Sequence, residues 1–183
     1  MNLPNKLTLT RIVLVPVFMI FVSLTSLDAV ANGTFQPLYY LLAGIVFAAA
    51  SFTDFLDGHL ARKWNMVTDF GKFADPLADK CLVMAALCCF VESGEFFGWV
   101  LAVVLLREFA VSGMRLVAVE KGRVIAAGWS GKVKTASTMV CICLILFGIP
   151  QWLNYVCQGI ILVTTVYSGV EYFAKNWDVF KEN

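Results

Sequence analysis

Charge and histidine are scarce in this sequence of 183 residues. Charged side chains make up 15% of it and its only histidine is His59, whereas hydrophobic side chains make up 60%. An ordinary soluble domain contains about 25% charged residues, and the mean hydropathy of this chain, +0.78, excludes that class. We therefore expect an integral membrane protein.

The cysteine pattern argues against a zinc or redox centre. None of the cysteines forms a spaced pair with a histidine partner, as zinc sites of this type require. Most of them fall inside apolar segments, where a free thiol packs as a small hydrophobic side chain. We therefore predict a role in core packing for the cysteines at positions 81, 88, 89, 141, 143 and 157.

Apolar segments near the length needed to cross a bilayer, about 20 residues, occur along the whole chain. Short loops separate them, and the residues before Ile12, which include Pro4, are typical of a short interfacial helix. The sequence thus predicts one domain over residues 1–183, an all-α polytopic integral membrane protein with six transmembrane helices and a short N-terminal interfacial helix. The predicted segments are residues 12–27, 37–60, 70–91, 96–119, 129–149 and 152–174.

Basic residues are confined to one side of the predicted bundle. If both termini lie on one side of the membrane, the loops on the opposite side contain Asp28, Glu92 and Glu95 but no Lys or Arg. By the positive-inside rule, the termini face the cytoplasm. By the same rule, the end of the second segment and the start of the third also face the cytoplasm, because the loop between them is basic.

Aspartates interrupt the apolar sequence near the end of the second segment. On a helix, Asp54, Asp57, Gly58 and Ala61 share one face, because they follow the i, i+3, i+4, i+7 spacing. Carboxylates are costly inside a bilayer, so a group of them indicates a functional site. The glycine leaves room for a bulky group to approach the backbone.

A second group of aspartates opens the third segment. Gly71, Asp75 and Asp79 follow the i, i+4, i+8 spacing and share one face of a helix. Four carboxylates in one cleft repel each other unless cations neutralise them. Oxygen ligands of this kind suit magnesium, manganese or calcium. We therefore predict a divalent-cation site that binds a diphosphate.

Together the two groups spell Asp-x-x-Asp-Gly-x-x-Ala-Arg, eight residues, and Gly-x-x-x-Asp-x-x-x-Asp, from Asp54 to Asp79. This pattern resembles, without a departure, the signature of the CDP-alcohol phosphatidyltransferases. Other stretches resemble one branch of that family, the bacterial phosphatidylglycerophosphate synthases, and the likeness covers nearly the whole chain. These stretches are residues 5–11, 75–80, Arg107-Glu108, Arg115 and 131–135.

The resemblance implies a role for each residue of the signature. Asp54, Asp57 and Asp75 would hold one or two Mg²⁺ or Mn²⁺ ions. Asp79 would share in metal binding and act as the catalytic general base. The residues implied in binding the CDP-linked donor are Asp57, Gly58, Ala61, Arg62 and Gly71.

A separate group of basic residues is expected to bind the acceptor. An acceptor that carries its own phosphate needs several cations, and glycerol 3-phosphate meets that description, whereas serine and choline do not. Glu108 could pair with one of the arginines or hold a lysine of the metal site, and the sequence leaves this open. The expected acceptor-phosphate residues are Thr10, Arg11, Arg107, Arg115, Lys132 and Lys134.

The implied reaction transfers the phosphatidyl group of CDP-diacylglycerol to sn-glycerol 3-phosphate, giving phosphatidylglycerophosphate and CMP. The resemblance also implies a multi-pass protein of the bacterial plasma membrane with a cytoplasmic active site. It implies contacts with membrane lipids and a homodimer, and no nucleic-acid partner is expected.

Three alternatives differ in class. An enzyme of the same family could use another acceptor, such as inositol phosphate. An intramembrane prenyltransferase would need a second aspartate-rich motif, whereas the later acids are single residues. A cation transporter could use the aspartates to line its pathway, but Gly58, Arg62 and Gly71 would then have no purpose.

Overall fold

The structure is a computed structural model that describes the backbone of residues 3–32, 37–63, 69–126 and 128–180. Side chains are described outside residues 1–8, 26–37, 54–76, 79, 127 and 181–183. The described backbone contains α-helices, one short 3-10 helix and no β-strand, which confirms the all-α prediction for this part of the chain. The elements are α1 (Leu3–Asn32), α2 (Pro37–Lys63), α3 (Asp69–Glu92), α4 (Gly98–Glu120), α5 (Trp129–Leu146), α6 (Gln151–Asn176) and the 3-10 helix Trp177–Phe180.

Apolar helices support the membrane class. In the described residues, Trp129–Leu146 and Gln151–Phe180 are long and apolar enough to cross a membrane, with mean hydropathies of 1.2 and 1.3. Shorter apolar stretches occur at Leu9–Thr25 and Leu38–Thr53. α4 is equally apolar on average but contains Arg107, Glu108 and Arg115, and charged residues are costly in a bilayer. The number of six spans therefore stays a prediction.

The N-terminal helix differs from the expected arrangement. A separate interfacial helix before Ile12 was expected, but α1 runs without a break from Leu3 to Asn32, and that expectation was wrong. Pro4 lies in the first turn of α1, where the missing N–H has no partner within the helix in any case. The proline therefore does not separate the first residues from the rest of α1.

Glycines in the left-handed conformation end two helices. Gly122 has a φ of 71°, and the N–H of Arg123 donates to the carbonyl of Ala118 at 2.8 Å, as in a Schellman motif. Gly148 has a φ of 78°, so α5 ends at Leu146, three residues before the predicted end of its segment at residue 149.

The described chain divides into two compact units. The first contains residues 1–93 and 142–149. In it, α1 packs against α2 and α3. Phe18 of α1 and Phe47 of α2 are fully buried, with ring centroids 5.9 Å apart. The helices that contain the predicted aspartate site are therefore anchored on an apolar core that includes α1.

The second unit contains residues 94–141 and 150–183, and its main packing is between α4 and α6. Buried Val111 and Met114 of α4 form a cluster with Tyr172 of α6. Near the starts of both helices, the N–H of Phe97 donates to the buried side chain of Gln158 at 3.0 Å. In both sets of contacts, the residues that meet lie at a similar distance from the start of their own helix. α4 and α6 therefore run parallel.

Candidate acceptor and donor sites

The predicted donor and metal residues lie on α2 and α3 of the first unit. Asp54 and Asp57 are in the last turns of α2, and Asp75 and Asp79 are in the first turns of α3. Their helical backbone agrees with the spacing argument, and the two helices contact each other. The side chains of these aspartates lie outside the described residues, as do the side chains of Ala61 and Arg62 and the surroundings of Gly58 and Gly71.

Because the aspartate side chains are not described, only the chemistry of these donor groups bears on metal binding. Among the residues searched, which exclude those aspartates, no group of three His, Cys, Asp or Glu side chains could hold a metal ion. Carboxylates spaced by three and four residues on two contacting helices are a donor set that fits a hard divalent cation. The metal site stays a prediction.

A buried basic cluster in the second unit joins α4 to α5. The carboxylate oxygen Oε1 of Glu108 accepts a hydrogen bond from Nζ of Lys134 at 2.7 Å and from the guanidinium of Arg107 at 2.9 Å. The side chains of Lys134, Glu108 and Arg107 are only 5%, 12% and 13% exposed. We call these three residues the basic cluster. Charged hydrogen bonds in such surroundings are stronger than neutral ones.

Two glycines lie next to the side chain of Arg107 in the basic cluster. A Cβ atom added to Gly169 of α6 would lie 3.2 Å from Cγ of Arg107, which is closer than most carbon contacts. A Cβ atom added to Gly131 of α5 would lie 3.6 Å from a terminal guanidinium nitrogen, which is an ordinary contact. The glycine of α6 therefore makes the space through which the arginine stem passes.

The other predicted acceptor residues of this unit have different partners. Nε of Arg115 donates to the hydroxyl of Tyr172 at 3.1 Å, and its guanidinium lies 5.6 Å from the centroid of the same ring. The ammonium of exposed Lys132 lies 5.7 Å from the ring centroid of Trp129. The structure thus brings Arg107 and Lys134 together on Glu108 and gives the two other cations different partners.

The two acceptor residues predicted in α1 belong to the first unit. Arg11 is buried, with 1% of its surface exposed, whereas Thr10 is exposed. A buried arginine in an apolar helix is costly unless it has polar partners, so its position agrees with a functional role.

A polar cavity of about 270 Å³ lies beside the loop after α4 and the end of α6. The described cations that line it, Arg123 and Lys175, pair with Asp178 and Glu171 respectively. These pairs are more exposed than the basic cluster, and exposed pairs contribute about 0–1 kcal/mol. Each of these two cations already has a counter-charge, Glu171 in the lining and Asp178 outside it, which weakens the attraction of the cavity for a phosphate.

Residues 1–170 match the model of a protein family described as CDP-alcohol phosphatidyltransferase. The chain belongs to this family. The matched region of this CDP-alcohol phosphatidyltransferase includes both the aspartate signature and the basic cluster. The resemblance inferred from Asp54 to Asp79 is thereby confirmed.

Relatives of this family member are similar over almost the whole length of this chain. The CDP-diacylglycerol–glycerol-3-phosphate 3-phosphatidyltransferase of Bacillus subtilis (strain 168) is 43% identical over 189 residues, covering 98% of this chain and 97% of that protein. A protein of the same name from Escherichia coli (strain K12) is 36% identical, covering 94% and 93%. A probable phosphatidylglycerophosphate synthase of Mycobacterium tuberculosis (strain H37Rv) is 38% identical, covering 95% and 81%.

Two features of this phosphatidyltransferase were not identified from the sequence. The bond between Glu108 and Lys134 was not expected, because a lysine partner was considered only at the metal site, whereas the pairing of Glu108 with an arginine was one of the possibilities left open. Gly169 carried no signal, because its contact with Arg107 depends on how α6 packs against α4.

Proposed function

We propose that this protein is a membrane enzyme that transfers the phosphatidyl group of CDP-diacylglycerol to sn-glycerol 3-phosphate, giving phosphatidylglycerophosphate and CMP. The observation that carries the proposal is the 43% identity to the Bacillus subtilis enzyme over nearly the full length of both chains. The name of that relative specifies both the donor and the acceptor. The buried basic cluster supports the same acceptor from the geometry of this chain.

The acceptor's phosphate is proposed to bind at Arg107 and Lys134. Both cations are largely buried, where charge-assisted hydrogen bonds to phosphate oxygens are strong. The guanidinium offers several donors in a planar fork, whereas the ammonium acts as a point charge. An acceptor without a phosphate, such as choline, would bring no negative charge to these cations.

The donor's diphosphate is proposed to bind at the signature on α2 and α3. Asp54, Asp57 and Asp75 would hold one or two Mg²⁺ or Mn²⁺ ions, with Asp79 sharing in this. A bound divalent cation would supply charge neutralisation at the diphosphate. The donor-binding residues would then be Asp57, Gly58, Ala61, Arg62 and Gly71, whose small members leave space at the backbone.

The reaction is a displacement at phosphorus. The primary hydroxyl oxygen of the acceptor attacks the phosphorus that carries diacylglycerol, a new P–O bond forms, and the P–O bond to CMP breaks. Asp79 takes the proton of the attacking hydroxyl as general base. CMP leaves with the electron pair of the broken bond.

The proposal includes a membrane arrangement. The six α-helices agree in position with the six predicted segments, and the basic loops support cytoplasmic termini and a cytoplasmic active site in the bacterial plasma membrane. We propose that all six helices span the bilayer, that membrane lipids surround them, and that the enzyme forms a homodimer. Labelling of single cysteines introduced into the loops of a cysteine-free variant, from either side of intact cells, tests the topology.

Release of CMP by the purified protein tests the reaction. Detergent-solubilised protein is supplied with CDP-diacylglycerol, Mg²⁺ or Mn²⁺, and one of four acceptors: sn-glycerol 3-phosphate, inositol phosphate, serine or water. We expect CMP only with sn-glycerol 3-phosphate, and none after chelation of the metal. Release only with inositol phosphate would favour the same family with another acceptor. No release from folded protein, together with metal-dependent ion flux in liposomes, would favour a transporter.

A further inference from the structure

The basic cluster contains one acid for two cations. Lys134 and the guanidinium of Arg107 both donate to the same oxygen, Oε1 of Glu108, at 2.7 and 2.9 Å. The formal charge of the cluster is therefore +1, from two positive groups and one negative group. A shared oxygen fixes both cations at once, so this acid determines where the two donors lie.

Glu108 stabilises the two cations while no acceptor is bound. Cations that are buried in apolar helices are costly unless a counter-charge pairs with them. Lys134 is 5% exposed and Arg107 is 13% exposed, so neither obtains much stabilisation from water. Glu108 supplies the counter-charge from the same helix as the arginine.

The same acid opposes a phosphate that binds to these cations. A phosphate monoester carries about −1.5 to −2 charges at pH 7, and within hydrogen-bond reach of the two donors it lies close to the carboxylate. Nε of Arg107 is buried and makes no hydrogen bond in the described part of the chain. This nitrogen is therefore a buried donor that Glu108 does not bind, next to the two donor groups that Glu108 does bind.

We propose that Glu108 is a positioning residue that acts as an internal substitute for the acceptor's phosphate. It holds Lys134 and Arg107 in place while the site is empty, and the phosphate takes over these donors when the acceptor binds. This inference rests on the proposed function. The carboxylate of Glu108 therefore has two opposite effects. It orders the donors that catalysis needs, and it weakens acceptor binding.

The test is the variant Glu108→Gln in full-length protein, because glutamine keeps the side-chain shape and removes the charge. The rate of CMP release at varied sn-glycerol 3-phosphate gives KM and kcat. We expect KM to fall about three- to tenfold, because the carboxylate that competes with the phosphate for the two cations loses its charge. We expect kcat to fall as well, because the cations lose the group that holds both of them in place. The matched control is Glu171→Gln, which removes a carboxylate from the exposed pair with Lys175 in the same unit. It should leave both parameters unchanged.

Thermal unfolding provides a readout that does not require turnover. Without acceptor, Glu108→Gln should unfold at a lower temperature than the parent protein. Saturating sn-glycerol 3-phosphate should raise the unfolding temperature more in Glu108→Gln than in the parent. If the variant does not fold, Glu108→Asp moves the carboxylate back by one methylene and carries the same expectations with smaller effects.

The outcomes separate the inference from the proposed function. Unchanged or raised KM in Glu108→Gln, with an unchanged acceptor-induced shift, would overturn the inference and leave a structural role for the acid. A parent protein that releases no CMP with any concentration of sn-glycerol 3-phosphate would overturn the proposed function. In that case the larger acceptor-induced shift in Glu108→Gln would still support the substitute role, and an equal shift or none would overturn it.

Discussion

A single added methyl group at Gly169 tests whether the arginine of the basic cluster is held by packing. In Gly169→Ala the new Cβ atom would lie 3.2 Å from Cγ of Arg107, so one of the two must move by a few tenths of an ångström. The Cγ atom is near the backbone of α4 and has little freedom to move. We therefore expect the guanidinium to shift away from its hydrogen bond at 2.9 Å to Glu108.

The magnitude follows from two opposing terms. Replacing glycine by alanine inside a helix stabilises it by about 0.5–1 kcal/mol, whereas overpacking a close contact costs about 1–3 kcal/mol. The net expectation for Gly169→Ala is a loss of about 1 kcal/mol in stability. The KM for sn-glycerol 3-phosphate should rise about three- to tenfold, because the displaced guanidinium partly loses its proposed hydrogen bond to the acceptor's phosphate, and a charged hydrogen bond is worth about 1.5–3 kcal/mol.

Two other glycines serve as controls in the same assays of CMP release and thermal unfolding. A Cβ atom at Gly159, also in α6, would have no neighbour within 4 Å, so Gly159→Ala should be stabilised and keep its KM. At Gly131 the added atom would make only an ordinary contact at 3.6 Å with Arg107, so its effect should be small. A Gly169→Ala variant with the KM of Gly159→Ala would refute the packing argument.

Three further predictions concern separate parts of the molecule. Tyr172→Phe keeps the ring beneath Arg115 but removes the hydroxyl that accepts its hydrogen bond at 3.1 Å, so thermal unfolding should show a loss of about 1 kcal/mol. Gln158→Leu leaves the N–H of Phe97 without its acceptor at 3.0 Å, and should cost about 1–3 kcal/mol without changing KM. Asp79→Asn should abolish CMP release while the unfolding temperature stays near that of the parent protein; normal turnover would contradict its proposed role as general base.

The features that the sequence predicted well are local ones. Helices appear as apolar segments, and α2 to α6 were expected at nearly the observed positions, whereas α1 extends well beyond its predicted segment at both ends. The aspartate signature lies within 26 residues of chain, from Asp54 to Asp79, so its spacing could be interpreted without tertiary structure. Helix ends were less accurate, since the left-handed Gly148 ends α5 earlier than its apolar composition suggests.

The features that the sequence did not predict depend on packing between helices. Arg107 and Arg115 were both expected to bind the acceptor's phosphate, but α6 offers a glycine to the first and a tyrosine to the second. The direction of Lys134 toward Glu108 depends on the position of α5 relative to α4. A single sequence contains the residue types of these contacts but not their pairing.

The basic cluster illustrates why an anion site in an apolar bundle can contain an acid. Two buried cations without a counter-charge would destabilise the empty protein by several kcal/mol in order of magnitude, so a site with only Arg107 and Lys134 would bind phosphate tightly but fold poorly. With Glu108 present, the empty site is paired, and the phosphate gains only the difference between its own contacts and those of the carboxylate. An enzyme that must release a phosphorylated product benefits from this smaller difference, because phosphate binding that is equally tight in the substrate and the transition state does not accelerate the chemical step and slows the release of the product.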